Sequence, residues 1–384
     1  MASFLFWLAV VTLALAIVTA IEFAVGNRSL RRLSGVEPFT GHDAPKVSVI
    51  VAARNEARNI EQALQSILAQ DYRNLEFIVV DDRSTDETGR ILDQMARKDQ
   101  RLHVVHVTDL PPGWLGKNHA LHCGAERATG QWLLFTDADV VMEPSAISRA
   151  VGHVLHEPID HLAIGPHIKM PGTLLNMLAG AFVLFFGLYA KPWKARDPKS
   201  SRHIGIGAFN LVRADAYRTI GGHRSIAMRP DDDMKLGKLL KKHGFRQDMV
   251  LGDGLITVEW YASLGELIRG LEKNSFAGVE YSLLAMAAGC AAQLIVFVWP
   301  ILALFLTSGA SWWLNVAILL VLAVLYMDNA HTHGLKRWHC VGAPVTALLS
   351  QYIVWRATLK TLWNDGIDWR GTHYSLRELK ANKV

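Results

Sequence analysis

The stretch Trp132-Leu-Leu-Phe-Thr-Asp-Ala-Asp139 decides the fold, because a strand-like apolar run ends directly in two carboxylates. An apolar run of this length is typical of a buried strand. At the end of an extended strand, every second side chain points to the same face. We therefore expect Asp137 and Asp139 to approach one Mg²⁺ or Mn²⁺ ion and a diphosphate bound to it. A solvated acidic loop is the plainer interpretation of this pair taken alone.

Apolar runs of strand length recur on both sides of this stretch. The predicted strands are residues 47–51, 75–80, 102–107, 132–136 and 161–166, and the predicted helices include 59–70 and 85–98. Strands that alternate with helices predict a mostly parallel sheet with helices on both faces. Residues 46–275 are therefore expected to form one α/β domain of the Rossmann-like, nucleotide-binding kind.

Polar groups follow two further predicted strands. Val79-Val-Asp-Asp-Arg-Ser-Thr-Asp86 ends a strand with carboxylates, and Val51-Ala-Ala-Arg-Asn-Glu56 leaves a strand in the same way. Helix capping accounts for the hydroxyls of the first segment, but poorly for Asp81 and Asp82. The carboxyl edge of a doubly wound sheet is where nucleotides bind, so these residues are candidates for contacts with a base or ribose.

A lysine precedes the next predicted helix, in Gly113-Trp-Leu-Gly-Lys-Asn-His-Ala-Leu121. The charge of Lys117 and the unpaired backbone N–H groups of a helix start suit a phosphate. Lysine before a helix is often only a surface residue. The order of the motifs along the chain is what favours the phosphate interpretation.

An acidic run, Asp231-Asp-Asp233, precedes an amphipathic helix that is closed by Gly244. A hydroxyl nucleophile needs a base to remove its proton, and a carboxylate can supply one. Capping of the helix is the alternative role, and Asp231 or Asp232 can be restricted to it while another carboxylate catalyses.

These motifs, in this order, resemble the family 2 glycosyltransferases, a GT-A fold family that uses nucleotide-diphospho-sugars. The resemblance covers residues 46 to about 275 and also runs through Gly207-Ala-Phe-Asn-Leu-Val-Arg213. It implies an inverting transfer and a nucleotide-diphospho-sugar donor, with a UDP-sugar favoured. The membrane part and the tail resemble bacterial hopanoid- or carotenoid-associated and ceramide-type members.

The resemblance also implies roles for individual residues. The implied nucleoside contacts are Ala53, Glu56 and Asp82; the ribose and phosphate contacts are Lys117 and Asp137; the metal ligand is Asp139; and the general base is Asp233. Many lipid-directed and processive members carry a QxxRW motif, for which this chain has Arg269-Gly-Leu-Glu-Lys-Asn274. Arg269 and Lys273 of this segment are therefore candidates for contact with the acceptor or leaving group. Asp232, which matches the family's usual Glu beside the base, is a third candidate. This departure argues against a polysaccharide-polymerising synthase.

The first 26 residues predict a transmembrane helix. From residue 3 to residue 25 the only charged side chain is Glu22, and a helix of that length crosses a bilayer core. The segment lacks the basic start of a cleaved signal peptide. The linker of residues 27–45 begins with Arg28, Arg31 and Arg32, which place the following domain in the cytosol by the positive-inside rule.

The second membrane region is expected at residues 276–362. Residues 281–307 and 312–327 predict a transmembrane hairpin, whereas 341–355 is shorter, contains Pro344 and is interpreted as re-entrant or interfacial. Residues 363–384 are expected to be a basic cytosolic tail. The apolar segment 173–190 is interpreted as an interfacial helix, and a buried core helix fits its pattern equally well.

The formal charge of +5 has two common explanations, nucleic acid and an anionic membrane. Basic residues flank the apolar segments, so the membrane is favoured and no nucleic-acid partner is expected. The sequence predicts an integral protein of the bacterial inner membrane that moves a sugar to a lipid or lipid-like hydroxyl on the cytosolic side. Transfer to a polyprenyl phosphate and a catalytically silent membrane scaffold are the alternatives.

Overall fold

The computed structural model describes residues 2–384. The helices are α1 (Ala2–Ser29), α2 (Ile60–Leu68), α3 (Thr88–Lys98), α4 (Gly116–Arg127), α5 (Ala146–His156), α6 (Gly172–Ala190), α7 (Ala214–Thr219), α8 (Asp232–Lys242), α9 (Leu264–Ser275), α10 (Leu283–Gln293), α11 (Trp299–Leu306), α12 (Gly309–Thr332), α13 (Ala343–Trp363) and α14 (Leu376–Ala381). A π-helical turn, Leu294–Val298, joins α10 to α11.

The strands are β1 (Arg31–Arg32), β2 (Val47–Ala53), β3 (Leu75–Asp82), β4 (Leu102–Val107), β5 (Trp132–Asp137), β6 (Val140–Met142), β7 (His161–Gly165), β8 (His167–Lys169), β9 (Asn210–Arg213), β10 (Gln247–Leu251), β11 (Ile256–Glu259), β12 (Gly366–Trp369) and β13 (Thr372–Ser375). The predicted strands are confirmed, and β4 has the predicted bounds.

The chain divides into two compact units. The α/β unit comprises Leu30–Lys169, Pro192–Glu259 and Asp365–Val384. The helical unit comprises α1, Met170–Lys191 and Trp260–Asn364. The chain therefore leaves the α/β unit for α6 and returns to it, and it returns a second time for its last twenty residues.

The α/β unit is built on a mostly parallel sheet. Within residues 2–384 its strand order is β1-β10-β7-β9-β5-β2-β3-β4, and only β9 runs antiparallel to its neighbours. A smaller sheet of β6, β11 and β8 lies in the same unit. The parallel pairs align Ala52 with Asp137 and Ala53 with Asp81, so the ends of β2, β3 and β5 lie at one edge. This edge carries the candidate site.

Burial on both faces explains why β2 and β3 read as continuous apolar runs. Val47, Val49 and Val51 of β2 pack into one hydrophobic core with α2 and α5, whereas Ile50 packs into a second core with α4 and α8. This alternation follows the two-residue period of a strand.

The helical unit contains helices that are long and apolar enough to cross a membrane. Within the described residues these are Ser3–Ser29, Gly172–Lys194, Leu283–Leu306 and Gly309–Thr332. The sequence predicts that residues 173–190 form an interfacial helix within the α/β domain. In the structure this helix is grouped with the other apolar helices, where Tyr326 of α12 donates a hydrogen bond to the Met177 carbonyl at 3.1 Å. A helix that is apolar on all sides fits either location, so its pattern could not decide between them.

Ion pairs connect these helices near their charged ends. Glu22 of α1 pairs with Lys191 at 2.6 Å, and Arg28 pairs with Asp328 of α12 at 2.5 Å. Charged side chains near the ends of apolar helices are typical of a membrane interface.

Candidate active site

A pocket opens where β5 ends and where α4 and α8 begin. The charged residues that line it are Lys117, Asp137, Asp232 and Asp233. Gly207, Asn210 and His223 also line it. Four predicted site residues therefore meet in one place, although the first and the last of them, Lys117 and Asp233, are 116 positions apart in the sequence.

Lys117 lies at the centre of the charged groups. Its Nζ is 2.9 Å from Asp137 Oδ1 and 3.4 Å from Asp232 Oδ2. Burial would lower the pKa of Lys117, but the carboxylates of Asp137, Asp232 and Asp233 raise it instead. The ammonium group is therefore held in its charged form, and its positive charge offsets part of the repulsion between the carboxylates beside it.

The three carboxylates of the acidic run have different partners. Asp231, at the start of α8, does not cap the helix with its side chain; Arg229 binds it with two hydrogen bonds of 3.0 and 3.1 Å. Asp232 faces Lys117. Asp233 accepts hydrogen bonds from the backbone N–H groups of Gly207 at 2.9 Å and Met234 at 2.7 Å. The pKa of Asp233 is raised by burial and by the charge of Asp232, which makes it a stronger base than a solvated carboxylate.

Glycines allow the backbone to pass close to these carboxylates. A Cβ at Gly207 would lie 2.7 Å from Asp137 Oδ2, and a Cβ at Gly205 would lie 1.8 Å from the Asp233 carbonyl. In the same contact, a Cβ at Gly237 of α8 would lie 1.8 Å from the Ile204 carbonyl. Helix α8 and residues 204–207 are in contact because their facing positions lack side chains.

Asn118 anchors the loop before the acidic run, a role that the sequence analysis missed. Its fully buried amide donates to the carbonyls of Ile226 at 2.8 Å, Ala227 at 3.2 Å and Arg229 at 2.8 Å. This amide connects the start of α4, which carries Lys117, to the loop that leads into α8. Its position directly after Lys117 was the only signal in the sequence.

The predicted nucleoside residues lie at the ends of β2 and β3. Ala53 is the last residue of β2, and Asp82, the last residue of β3, accepts two hydrogen bonds from the Arg83 side chain at 2.8 and 3.0 Å. Glu56, three residues beyond β2, accepts a hydrogen bond of 2.5 Å from Arg370. The structure therefore brings these residues to the same sheet edge as the pocket.

Asp137 ends β5, and Asp139 lies in the turn between β5 and β6. The expectation that both lie on one extended strand end is therefore wrong, because the strand stops between them. Burial raises the pKa of Asp139, and the negative charges of Asp137 and Glu56 raise it further.

The chemistry of this donor set suits a hard divalent cation, whose charge would offset the repulsion between the carboxylates. No group of three or more His, Cys, Asp or Glu side chains that could hold a metal occurs within residues 2–384. Mg²⁺ is usually bound through one or two carboxylates and substrate phosphates, so the site fits a cation that is held jointly with a diphosphate.

Two other candidates lie elsewhere. Arg269 and Lys273 belong to α9, in the helical unit, and they do not line the pocket. On the same helix, Glu272 pairs with Arg356 at 2.8 Å and Lys360 at 2.7 Å of α13. The pairing of α9 with α13 is the structural role that the contacts of this segment display.

Known proteins are similar to this chain in sequence and in fold. Residues 48–221 match the profile of the family described as Glycosyl transferase family 2. The 4,4'-diaponeurosporenoate glycosyltransferase of Staphylococcus haemolyticus is 25% identical over 260 residues, which are 62% of this chain and 64% of that protein. The glycosyltransferase EpsE of Bacillus subtilis is 31% identical over 215 residues, which are 53% of this chain and 70% of that protein. The chain thus spans less than two thirds of the length of the first of these relatives.

A solved structure resembles nearly the whole chain. The mannosyltransferase PcManGT of Pyrobaculum calidifontis, in complex with GDP-Man and Mn²⁺, aligns with a TM-score of 0.57 and 20% identity over 94% of this chain and 99% of that one. A likeness at this identity establishes the fold alone. The expected GT-A fold is confirmed.

Proposed function

The chain belongs to glycosyltransferase family 2, and from that premise we propose that it transfers a sugar from a nucleotide-diphospho-sugar to a lipid or lipid-like hydroxyl. The observation that carries the proposal is the meeting of Lys117, Asp137 and Asp233 in one pocket at the carboxyl edge of the sheet. This edge is where doubly wound folds bind nucleotides.

Asp233 is the proposed general base. Its carboxylate lies half-buried in the pocket and is oriented by the backbone N–H groups of Gly207 and Met234. It removes the proton of the acceptor hydroxyl as the oxygen attacks the anomeric carbon, on the side opposite the diphosphate, so the reaction inverts that carbon. General base catalysis of this kind contributes roughly 10²–10⁴-fold to a rate.

Lys117 is the proposed stabiliser of the leaving diphosphate, because its ammonium group lies beside Asp137 at the helix start. A Mg²⁺ or Mn²⁺ ion, when bound, would neutralise part of the diphosphate charge, and Asp139 with Asp137 would hold it. Asp82 at the end of β3 and Glu56 beyond β2 are proposed to orient the nucleoside together with the Ala53 backbone.

The acceptor is proposed to be a membrane lipid. Relatives from Staphylococcus haemolyticus and Staphylococcus aureus are named for diaponeurosporenoate, a carotenoid, and this chain has helices that are apolar enough to span a bilayer. Arg28 and the arginines after it favour a cytosolic α/β unit at the inner membrane of a bacterium.

Calorimetry on the full chain in detergent tests donor binding. With Mn²⁺ present, UDP or GDP is expected to bind, and Asp139→Ala is expected to abolish the heat of binding. Absence of binding by the wild-type chain to both nucleotides would favour a catalytically silent scaffold and refute the proposal.

A transfer assay tests the acceptor and the base. Membranes that contain the protein are incubated with radiolabelled UDP- and GDP-sugars, and the label is followed into extractable lipid. Asp233→Asn is expected to lower the rate at least 100-fold. A near-normal rate in this variant would instead favour an acceptor that is already an anion, such as a polyprenyl phosphate, because it needs no base.

A further inference from the structure

The C-terminal hairpin of β12 and β13 contacts the loops that carry the proposed nucleoside residues. Arg370, which lies in the β-turn of this hairpin, donates hydrogen bonds to the Arg54 carbonyl at 2.6 Å and to Glu56 Oε1 at 2.5 Å. The backbone N–H of Gly116, the first residue of α4, donates to the Tyr374 hydroxyl at 3.2 Å. One hairpin thus touches both the loop after β2 and the start of α4.

The hairpin also approaches the end of β3. Tyr374 is 5% exposed, and its hydroxyl interacts with the side chain of Arg83, which forms the two hydrogen bonds with Asp82. Tyr374 is therefore a buried residue of the α/β unit.

The turn of the hairpin is an unusual place for an arginine. β12 and β13 are joined by the two residues Arg370 and Gly371, whose φ angles are 52° and 79°. Two left-handed residues define a type I′ turn, which favours Asn, Asp or Gly at its first position. A bulky residue held in this conformation points to a function. The turn itself gives no reason for arginine, so the reason lies in what the guanidinium contacts.

The contact with Glu56 has an electrostatic consequence. Glu56 places a carboxylate among the residues that are proposed to hold the donor. Unpaired, the Glu56 carboxylate would repel an incoming diphosphate, whereas the Arg370 guanidinium offsets its charge and fixes its direction. Such a charge-assisted pair is shorter and stronger than a neutral hydrogen bond.

We infer that Arg370 is a positioning residue of the donor site, which acts through Glu56 and the Arg54 carbonyl to set the affinity for the nucleotide. This inference rests on the proposed function. It assigns to the C-terminal hairpin a part in donor binding, which the family profile match over residues 48–221 does not include.

Arg370→Asn separates the contact from the turn. Asparagine suits the left-handed position, so the thermal midpoint of the full chain in detergent should stay at or above that of the wild type. The Kd for UDP or GDP with Mn²⁺, measured by calorimetry, should rise about tenfold or more because the charged hydrogen bonds are lost. Arg377→Gln is the matched control, since Arg377 is exposed on the neighbouring α14, and it should bind as the wild type does.

A double-mutant cycle tests whether Arg370 acts through Glu56. If it does, the loss of nucleotide affinity in the variant with both Arg370→Asn and Glu56→Gln should be smaller than the sum of the losses in the two single variants. Additive losses would overturn the inference, since they would mean that Arg370 acts on the nucleotide independently of Glu56.

The outcomes separate this inference from the proposed function. Absence of nucleotide binding by the wild type would refute the proposed function and the inference with it. Binding by the wild type and equal binding by Arg370→Asn would overturn the inference alone. Arg370→Lys keeps the charge but loses the planar fork, and an affinity between those of the wild type and Arg370→Asn is expected. Equal affinity in the lysine and asparagine variants, both as tight as the wild type, would also overturn it.

Discussion

Single buried side chains determine the geometry of the pocket. Lys117 is the charged residue that the sequence singled out, but its neighbour Asn118 connects the two segments that carry the charges. Three carbonyl groups depend on one amide group, so the loss of that donor leaves several buried acceptors without a partner.

Asn118→Asp is therefore expected to lower the free energy of unfolding by roughly 3 kcal/mol, because a carboxylate of the same shape cannot donate. Thermal unfolding of the detergent-solubilised chain would measure the loss. Asn74→Asp is the control, since Asn74 donates one exposed hydrogen bond to the Ala44 carbonyl. Equal losses in the two variants would contradict the anchoring role.

Glu76 connects strands at the other end of the sheet. It accepts hydrogen bonds from Ser48 at 2.5 Å and from the Thr129 backbone at 2.7 Å, and it pairs with Lys46 at 2.6 Å. Burial raises its pKa, but these three partners together lower it from 4.5 to about 2.

Because the pKa of Glu76 is lowered on folding, its contribution to stability is present above about pH 4.5 and is lost as the pH falls towards 2. Glu76→Gln should lower the free energy of unfolding by on the order of 2 kcal/mol at pH 7, and the difference from the wild type should shrink at low pH. Denaturant unfolding at pH 7 and at about pH 3 would measure both. Glu61→Gln, at an exposed contact with Gln65 on α2, is the control; a loss at Glu76 that did not depend on pH would contradict this account.

At the scale of elements, the close contact between α8 and residues 204–207 positions the acidic run. The contact requires glycine at position 237, where a Cβ would lie 1.8 Å from a backbone carbonyl. A rigid neighbour of this kind cannot move aside as a flexible side chain can, so the helix itself would have to shift.

Gly237→Ala is expected to destabilise the α/β unit by about 1–3 kcal/mol and to move Asp233 away from Gly207, with a loss of transfer activity. Thermal unfolding and the radiolabel assay would measure the two effects. Gly289→Ala in α10 is the matched control, because a Cβ there meets nothing within 4 Å. An active and stable Gly237→Ala chain would show that the contact is not required.

The elements also show what sequence reasoning can reach. Strands β2 to β5 and the acidic run were predictable, because hydrophobic period and strand-end polarity are local signals. The assignment of α6 was not, since a helix without a polar face carries no directional information. The pair of Arg370 and Glu56 was not predictable either, because the residues are 314 positions apart and no local sequence pattern connects them.

At the scale of the whole molecule, the last twenty residues complete the α/β unit. Ile367, Tyr374, Leu376 and Leu379 are buried there, and Asn382 accepts from the Met228 backbone at 2.9 Å and donates to the Ser225 carbonyl at 3.0 Å. The expectation of a cytosolic tail separate from the catalytic domain differs from this arrangement. Its basic residues suggested a solvated segment, whereas its apolar residues decide where it packs.

A chain that ends at Asn364 is therefore expected to lose several kcal/mol of stability in the α/β unit, at about 1.5–3 kcal/mol for each large apolar side chain that is no longer buried. Limited proteolysis in detergent should show faster cleavage of this unit. Leu379→Ala alone should give a partial loss of about 2–5 kcal/mol. Wild-type protease resistance in the shortened chain would refute this role of the tail.

The return of the chain to the α/β unit has a consequence for biosynthesis. Translation proceeds from the N terminus, so the apolar helices are made before residues 365–384, which pack into the α/β unit. A ribosome that stalled just before residue 365 would leave a chain with all its apolar helices but an unfinished sheet domain. The order of synthesis thus delays a finished sheet domain until the preceding apolar helices have been made.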